Sequence, residues 1–229
     1  MAEGAYLYDL RGPQPYAGVL RLQQELAAAR SQQAIPDTVV LLEHEPVITL
    51  GSRAVRAQEL PLAEEEYAGR GIEIVEVPRG GRSTYHGPGQ LVCYPILDLN
   101  GRGRDLRRHV RGLERTIVRT LAGFGVEGRG LEGPHQSGVW VDDRKIASIG
   151  VRCARWVTSH GLALNVDLDL GVYELFDACG LGGARFTSIA AETGRPVTTD
   201  EVRGPLLEAL CEAFDLELEP VPAEDHALV

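Results

Sequence analysis

The chain has 229 residues, enough for one sizeable core or two small ones, and its 44% hydrophobic and 24% charged content is that of an ordinary globular protein. No run approaches the roughly 18 to 20 apolar residues a membrane span needs, and a formal net charge of −10 argues against general nucleic-acid binding. The N-terminal MAEGAYLYDLRG lacks the basic-then-apolar pattern of a signal peptide, so a cytoplasmic protein is expected.

In chain order, Tyr6–Asp9 reads as a short strand. Ala17–Gln33 reads as a helix, from the spacing of Val19, Leu22, Leu26 and Ala29. Thr38–Glu45 is an apolar, β-branched run expected to be a buried strand, broken by Pro46 and followed by the short strand VITLG. Leu62–Arg70 is expected to be a short acidic helix, and Ile72–Val77 a strand. Arg79–Leu91, RGGRSTYHGPGQL, holds four glycines among Arg79, Arg82, Ser83, Thr84, Tyr85, His86 and Gln90. It is expected to be a loop between strands, too long and too polar for a plain hairpin of about two to five residues. Its glycines permit close backbone approach, which suggests a ligand-binding wall.

The strand Leu91–Leu97 follows, then a helix over Asp105–Phe124 with an apolar stripe of Leu106, Val110, Leu113, Ile117, Val118 and Leu121. Its other face is basic. Gly101–Arg119 holds seven arginines against Asp105 and Glu114, either a solvated face or a docking patch for an acidic partner. GRGRD before this helix has neither Walker nor GxGxxG spacing and reads as a basic turn. Val139–Val141 and Lys145–Cys153 suggest a hairpin, and His160 opens another alternating strand. LFDACGLGGARFTS is a second glycine-rich loop. Thr199–Phe214 reads as a helix with Asp200 as its N-cap, its regular part possible only from Gly204-Pro205. The acidic, proline-bearing tail from about 216 to 229 is expected to be frayed. Strands and helices mix without strict βαβ alternation, so the expected fold class is α+β: a single domain over residues 1–229, its mixed β-sheet flanked by helices.

Of the 23 lysines and arginines only Lys145 is a lysine. Arginine cannot give up its proton in a protein, whereas lysine can. A lone lysine in this background marks either a place where guanidinium will not serve or an accident of a rare residue. The cysteines Cys93, Cys153, Cys179 and Cys211 form no CxxC pair. Cys93, Cys153 and Cys211 fall on apolar stripes and read as small buried hydrophobes. Cys179 precedes Gly180, Gly182 and Gly183, where loop amides could stabilise a thiolate or an oxyanion, so it is the candidate nucleophile. Lys145, His86, His135 and His160 are candidate bases. His86 and His160 each precede a glycine at an expected strand end. His109, on the basic helix, and His226 are expected to be solvated.

Several stretches in this order resemble the octanoyltransferases of lipoate biosynthesis: LLEHEPVITLG from Leu41, RGGRSTYHGPGQLVCYPI from Arg79, KIASIGVR from Lys145, HGLALNV from His160 and ACGL from Ala178. The resemblance implies the α+β fold of biotin and lipoate protein ligase catalytic domains. It implies an enzyme that moves an octanoyl group from octanoyl-acyl carrier protein to a lysine of a lipoyl domain. The acceptors would be 2-oxoacid dehydrogenase complexes and the glycine-cleavage H protein, with no nucleic acid and no membrane involved. On that pattern Cys179 carries the acyl group as a thioester and Lys145 is the general base. Arg79, Gly80, Gly81, Arg82, Ser83, Thr84, Tyr85 and His86, with Ser148, Ile149, Gly150, Gly161, Leu162 and Ala163, bind substrate. His86 and His160 orient it. No cofactor or metal is implied, since the acyl donor rides on the phosphopantetheine of its carrier. Two departures stand out: Ala178 where the family usually has proline, and Ser159 where an aromatic often precedes His-Gly. A desolvated lysine can serve both the loading of Cys179 and its attack by an amine. The nearest alternatives are an ATP-dependent lipoate or biotin protein ligase and a lipoyl amidotransferase on the same fold; a noncatalytic acyl-protein-binding module is the alternative from another class.

Overall fold

Alternating apolar residues in the two central strands send side chains to both faces of one sheet, and helices close over both. The computed structural model describes residues 3–131, 137–178 and 185–221. In chain order the elements are β1 (Glu3–Gln14), α1 (Tyr16–Ser31), β2 (Asp37–His44), β3 (Val47–Leu50), α2 (Arg56–Glu59), α3 (Glu64–Ala68), β4 (Glu73–Glu76), β5 (Ser83–His86) and β6 (Gln90–Ile96). There follow α4 (Leu106–Gly123), β7 (Arg129–Gly130), β8 (Gly138–Val141), β9 (Arg144–Ala154) and β10 (Val157–Asn165). After a 3-10 turn at Leu170–Glu174 come β11 (Arg185–Phe186), α5 (Ile189–Thr193), α6 (Thr199–Phe214) and β12 (Leu216–Pro220).

Among the described residues the strands make two sheets. The larger runs β12-β1-β2-β6-β10-β9-β8-β7, with β11 added to β9. β2, β6, β10 and β9 pair antiparallel, while β1 is parallel to both β2 and β12. Val39, Leu41, Leu91, Cys93, Leu162 and Leu164 pack one face against α4 and α6. Val40, Leu42, Val92, Tyr94 and Ile96 pack the other against Val19, Leu22 and Leu26 of α1. The smaller sheet, β4-β3-β5, lies over its own apolar cluster with Tyr67, Tyr85, Val172 and Phe176. The result is the expected α+β architecture. No described helix is long and apolar enough to cross a membrane.

Four local expectations are corrected. The glycine-rich stretch is not a loop throughout: Ser83–His86 is a buried strand paired with β3. In α6 the N-cap is Thr198, not Asp200. Its hydroxyl accepts from the Glu201 amide while the Glu201 carboxylate accepts from the Thr198 amide, and the helix runs unbroken from Thr199 through Pro205. The tail is not frayed from 216, because Leu216–Pro220 pairs with Glu3–Leu7. His109 is not solvated but buried, at a ring separation of 5.2 Å from Phe214. The reason is that α4 buries two adjacent stripes. Leu113, Ile117 and Leu121 join the main core, while His109 and Gly112 lie against Phe214 of α6.

Candidate active site

The two sheets face each other across a pocket whose walls come from the glycine-rich segment and from β9 and β10. Arg79 leads this segment, and its guanidinium is buried. Nη2 donates to the Thr49 carbonyl at 2.8 Å and to Thr49 Oγ1 at 2.7 Å, so β3 fixes the cation in place. Space for it comes from Gly51, where a Cβ would lie 2.8 Å from Arg79 Nη1 and 2.5 Å from the Gly81 carbonyl. The Gly80 amide donates to the Val151 carbonyl at 2.9 Å and ties the segment to β9. Arg82 and Ser83 are held from outside by Glu59, the last residue of α2. This buried carboxylate accepts from Arg82 Nε at 2.7 Å, the Ser83 amide at 2.7 Å and the Val55 amide at 2.8 Å.

Across the pocket, the two triplets expected to line the acyl site lie directly opposite each other. Ser148 pairs with Ala163, Ile149 with Leu162 and Gly150 with Gly161. A Cβ on Gly161 would sit 2.3 Å from the Cys93 carbonyl, so this strand pair admits only glycine there. Lys145, earlier on β9, is 1% exposed, with Nζ 5.6 Å from the centre of the Trp140 ring. It lines the same pocket as Arg79, His86 and His160.

His160 is aimed by a break in the sheet. Counting back from Leu162 opposite Cys93 puts His160 opposite Pro95, which has no amide hydrogen to give. The ladder is interrupted there, and His160 takes a left-handed φ of 57°. Its amide turns instead to Gln23 Oε1 of α1 at 2.8 Å, and the Pro95 carbonyl accepts from Thr158 Oγ1 at 2.8 Å. His86 is oriented by a chain of side-chain amides. The Thr187 carbonyl accepts from Asn165 Nδ2, Asn165 Oδ1 accepts from Gln90 Nε2, and Gln90 Oε1 therefore accepts from His86 Nδ1 at 2.7 Å. This order puts the proton on Nδ1 and leaves Nε2 as the acceptor. By the same logic His44 Nδ1 donates to the Gln14 carbonyl, and its Nε2 accepts from Tyr94 OH at 2.9 Å.

Burial sets the charge of these groups. It pushes His44 down to about 4 and His86 well below its ordinary value, with the neighbouring His44 acting in the same direction on His86. Burial and then Arg79 push His160 down to about 3, and burial raises Tyr16 to about 12. At neutral pH His86 and His160, which line the pocket with Arg79, are therefore neutral, as are His44 and Tyr16 beside His86.

The pocket brings together Arg79, Gly81, Arg82, Ser83, Thr84, His86, Lys145, Ser148, Ile149, Gly150, His160, Gly161, Leu162 and Ala163. Gly80 stands behind it as a tether. Tyr85 does not face it: alternation along β5 turns its ring toward Tyr173, at 6.4 Å between ring centres. Cys179 lies outside the described residues, as do His135 and His226. Both flanks of the Cys179 segment are anchored at the pocket. Ser83 Oγ donates to the Asp177 carbonyl at 2.9 Å, the Thr187 amide donates to the Lys145 carbonyl at 3.0 Å, and Phe186 pairs with Lys145. The sequence reading did not single out Tyr94, Arg53 and Ser137 as site residues, though they also line the pocket. Tyr94 was legible in principle, because alternation sends it to the face opposite Cys93. Arg53 and Ser137 carry no local signal. Cys93 is buried as expected, whereas Cys153 and Cys211 are only half-buried.

Residues 15–211 match the family model described as the lipoyl protein ligase A/B catalytic domain. The octanoyltransferase of Chloroflexus aggregans is 46% identical over 204 residues, covering 88% of this chain and 91% of that relative. In shape the chain is similar to lipoate-protein ligase A bound with ATP, with a TM-score of 0.74 at 17% identity over 100% of this chain and 92% of that one. It is also similar to biotin protein ligase from Aquifex aeolicus in complex with biotin and ATP, with a TM-score of 0.55 at 13% identity over 93% and 71% of the two chains. These two likenesses carry the fold alone. The relationship in sequence goes further: the chain belongs to the lipoyl protein ligase A/B catalytic-domain family and, within it, to the octanoyltransferases, which are acyltransferases.

Proposed function

We propose that this octanoyltransferase takes its acyl group from octanoyl-acyl carrier protein, holds it on Cys179 and passes it to a lysine of a lipoyl domain. The observation that carries this reading is the anchoring of the Cys179 segment. One flank is hydrogen-bonded to Ser83 and the other to Lys145, and both residues line the pocket. The described residues on either side of Cys179 are therefore tied to residues of the pocket.

Lys145 removes the thiol proton of Cys179. The thiolate attacks the octanoyl carbonyl, and the carrier's thiolate leaves and takes the proton back from Lys145. An acceptor amine then attacks the enzyme thioester and gives a proton to Lys145. Collapse forms the amide bond and frees the Cys179 thiolate, which Lys145 reprotonates. Arg79, with backbone amides of the glycine-rich segment, offers positive potential to the carbonyl oxygen as its charge develops. Neutral His86 and His160 orient the substrate without adding charge. The relay needs neither metal nor nucleotide. The acceptors expected are the lipoyl domains of 2-oxoacid dehydrogenase complexes and the glycine-cleavage H protein.

Intact-mass spectrometry after incubation with octanoyl-acyl carrier protein tests the relay. An octanoyl adduct is expected on the wild-type chain and none on Cys179→Ala; an adduct that persists in that variant sinks the mechanism. Lys145→Arg keeps the positive charge but cannot accept a proton, so transfer should fall by ~100-fold or more. Full activity in that variant would remove Lys145 from the base role.

A further inference from the structure

A groove of about 1270 Å3 runs along the outer face of α4, where that helix meets α6. Its floor is apolar, from Leu106, Val110 and Val118, and Arg107, Arg111 and Arg115 rise from it into solvent, with the half-buried Glu114 among them, so cations still outnumber carboxylates along the groove. Among the described residues Arg119 pairs with Glu212 at 2.5 Å, but no carboxylate pairs with Arg107, Arg111 or Arg115. The chain as a whole carries a formal charge of −10, so this face is a cationic exception on an acidic molecule. Ser137 lines both this groove and the active pocket, so the two share a wall.

From these facts we infer that the α4 groove docks the acidic carrier protein that brings the acyl thioester. The inference rests on the acyl-transfer reading above and adds to it where the donor sits. Two features favour the donor over the acceptor. The lined stretch of α4, from Leu106 to Ala122, extends roughly 24 Å at 1.5 Å per residue. A carrier protein seated along it presents its thioester on a long flexible arm and need not bring its own backbone to the pocket. An acceptor lysine has only its own side chain, so its backbone must come to the pocket mouth. The second feature is an apolar floor beside guanidinium groups that pair with no carboxylate among the described residues. That combination fits an acidic, amphipathic helix, with the charges steering encounter and the floor holding the docked state.

The test is the triple substitution Arg107→Glu, Arg111→Glu, Arg115→Glu, assayed with two donors: octanoyl-acyl carrier protein and octanoyl-pantetheine, which has the same thioester and no carrier. KM for the carrier-bound donor should rise about tenfold or more, and its dependence on salt should flatten. Turnover of octanoyl-pantetheine and KM for the lipoyl acceptor should stay at the wild-type value, which also shows that the variant folds. An unchanged KM for the carrier-bound donor overturns the proposal. So does an equal loss with both donors, or a rise confined to the lipoyl acceptor. The chemistry is tested separately: loss of octanoyl-pantetheine turnover in Cys179→Ala reports on the relay, whereas the ratio between the two donors reports on docking.

Discussion

Gln90 shows how one neutral side chain controls the state of another. Its amide nitrogen serves the Tyr85 carbonyl and Asn165 Oδ1, so its oxygen must receive His86 Nδ1–H. In Gln90→Glu a carboxylate faces that imidazole and favours its charged form. The expected result is an acid limb in the pH profile of kcat/KM, placed where the raised His86 titrates and absent from the wild type, whose His86 stays neutral down to well below its ordinary value. The variant should also lose about 1 to 3 kcal/mol of stability, because the Tyr85 carbonyl loses its Gln90 donor and Asn165 Oδ1 keeps only Tyr173 OH. A profile and a denaturation midpoint both unchanged would refute the assigned orientation. Residue types with strong chemical character were legible in the sequence: Arg79, His86 and Lys145 all reach the pocket. The groups that position them were not. Gln23 and Gln90 are ordinary polar residues in sequence, and their importance comes from packing across 137 and 75 residues of chain respectively.

At the level of elements, the core strands were readable because their apolar character is local. β5 was not, because Ser83–His86 has no apolar run of its own and becomes a strand only by pairing with Val47–Leu50. The register of β9 with β10 was also hidden, since no local pattern shows that Gly161 meets Gly150. That register now carries a prediction. In Gly161→Ala the new methyl would lie 2.3 Å from the Cys93 carbonyl on β6, a backbone atom that cannot rotate aside. The sheet must open locally, at a cost of about 1 to 3 kcal/mol, and transfer activity should drop with it because the opened strand lines the pocket. Chemical denaturation reads the first effect; a midpoint equal to the wild type would mean the sheet yields without cost.

Across the whole molecule, contacts between distant segments decide what the sequence could not. β1 and β12 pair although they lie at opposite ends of the chain, and Arg102 in the basic turn before α4 closes the junction. It donates to the Phe214 carbonyl at 2.6 Å and pairs with Glu3 and Asp37. The same long-range packing buries four histidines, His44, His86, His109 and His160, with the folded-state values of three lowered to about 4, 4 and 3 for His44, His109 and His160. Burial is the main cause in each case. The unfolded chain therefore binds more protons than the folded one wherever pH lies below the unfolded value of about 6.5 and above the lowered one. Stability is fully present above that range and is lost as pH falls through it, at about 1.4 kcal/mol per pH unit for each histidine once the unfolded form is protonated. The window from pH 6.5 to 5 lies above ordinary carboxylate titration, so the histidine contribution can be read there. His109 isolates it, because it lies outside the pocket and neither ring nitrogen has a hydrogen-bond partner among the described residues. His109→Leu should fold at pH 7 and show a mean stability slope in that window shallower by about 1 kcal/mol per pH unit, since the unfolded histidine is only half protonated at its upper end, measured by urea denaturation at stepped pH. If the slope matched that of the wild type, the buried His109 would be titrating in the folded protein much as it does in the unfolded chain.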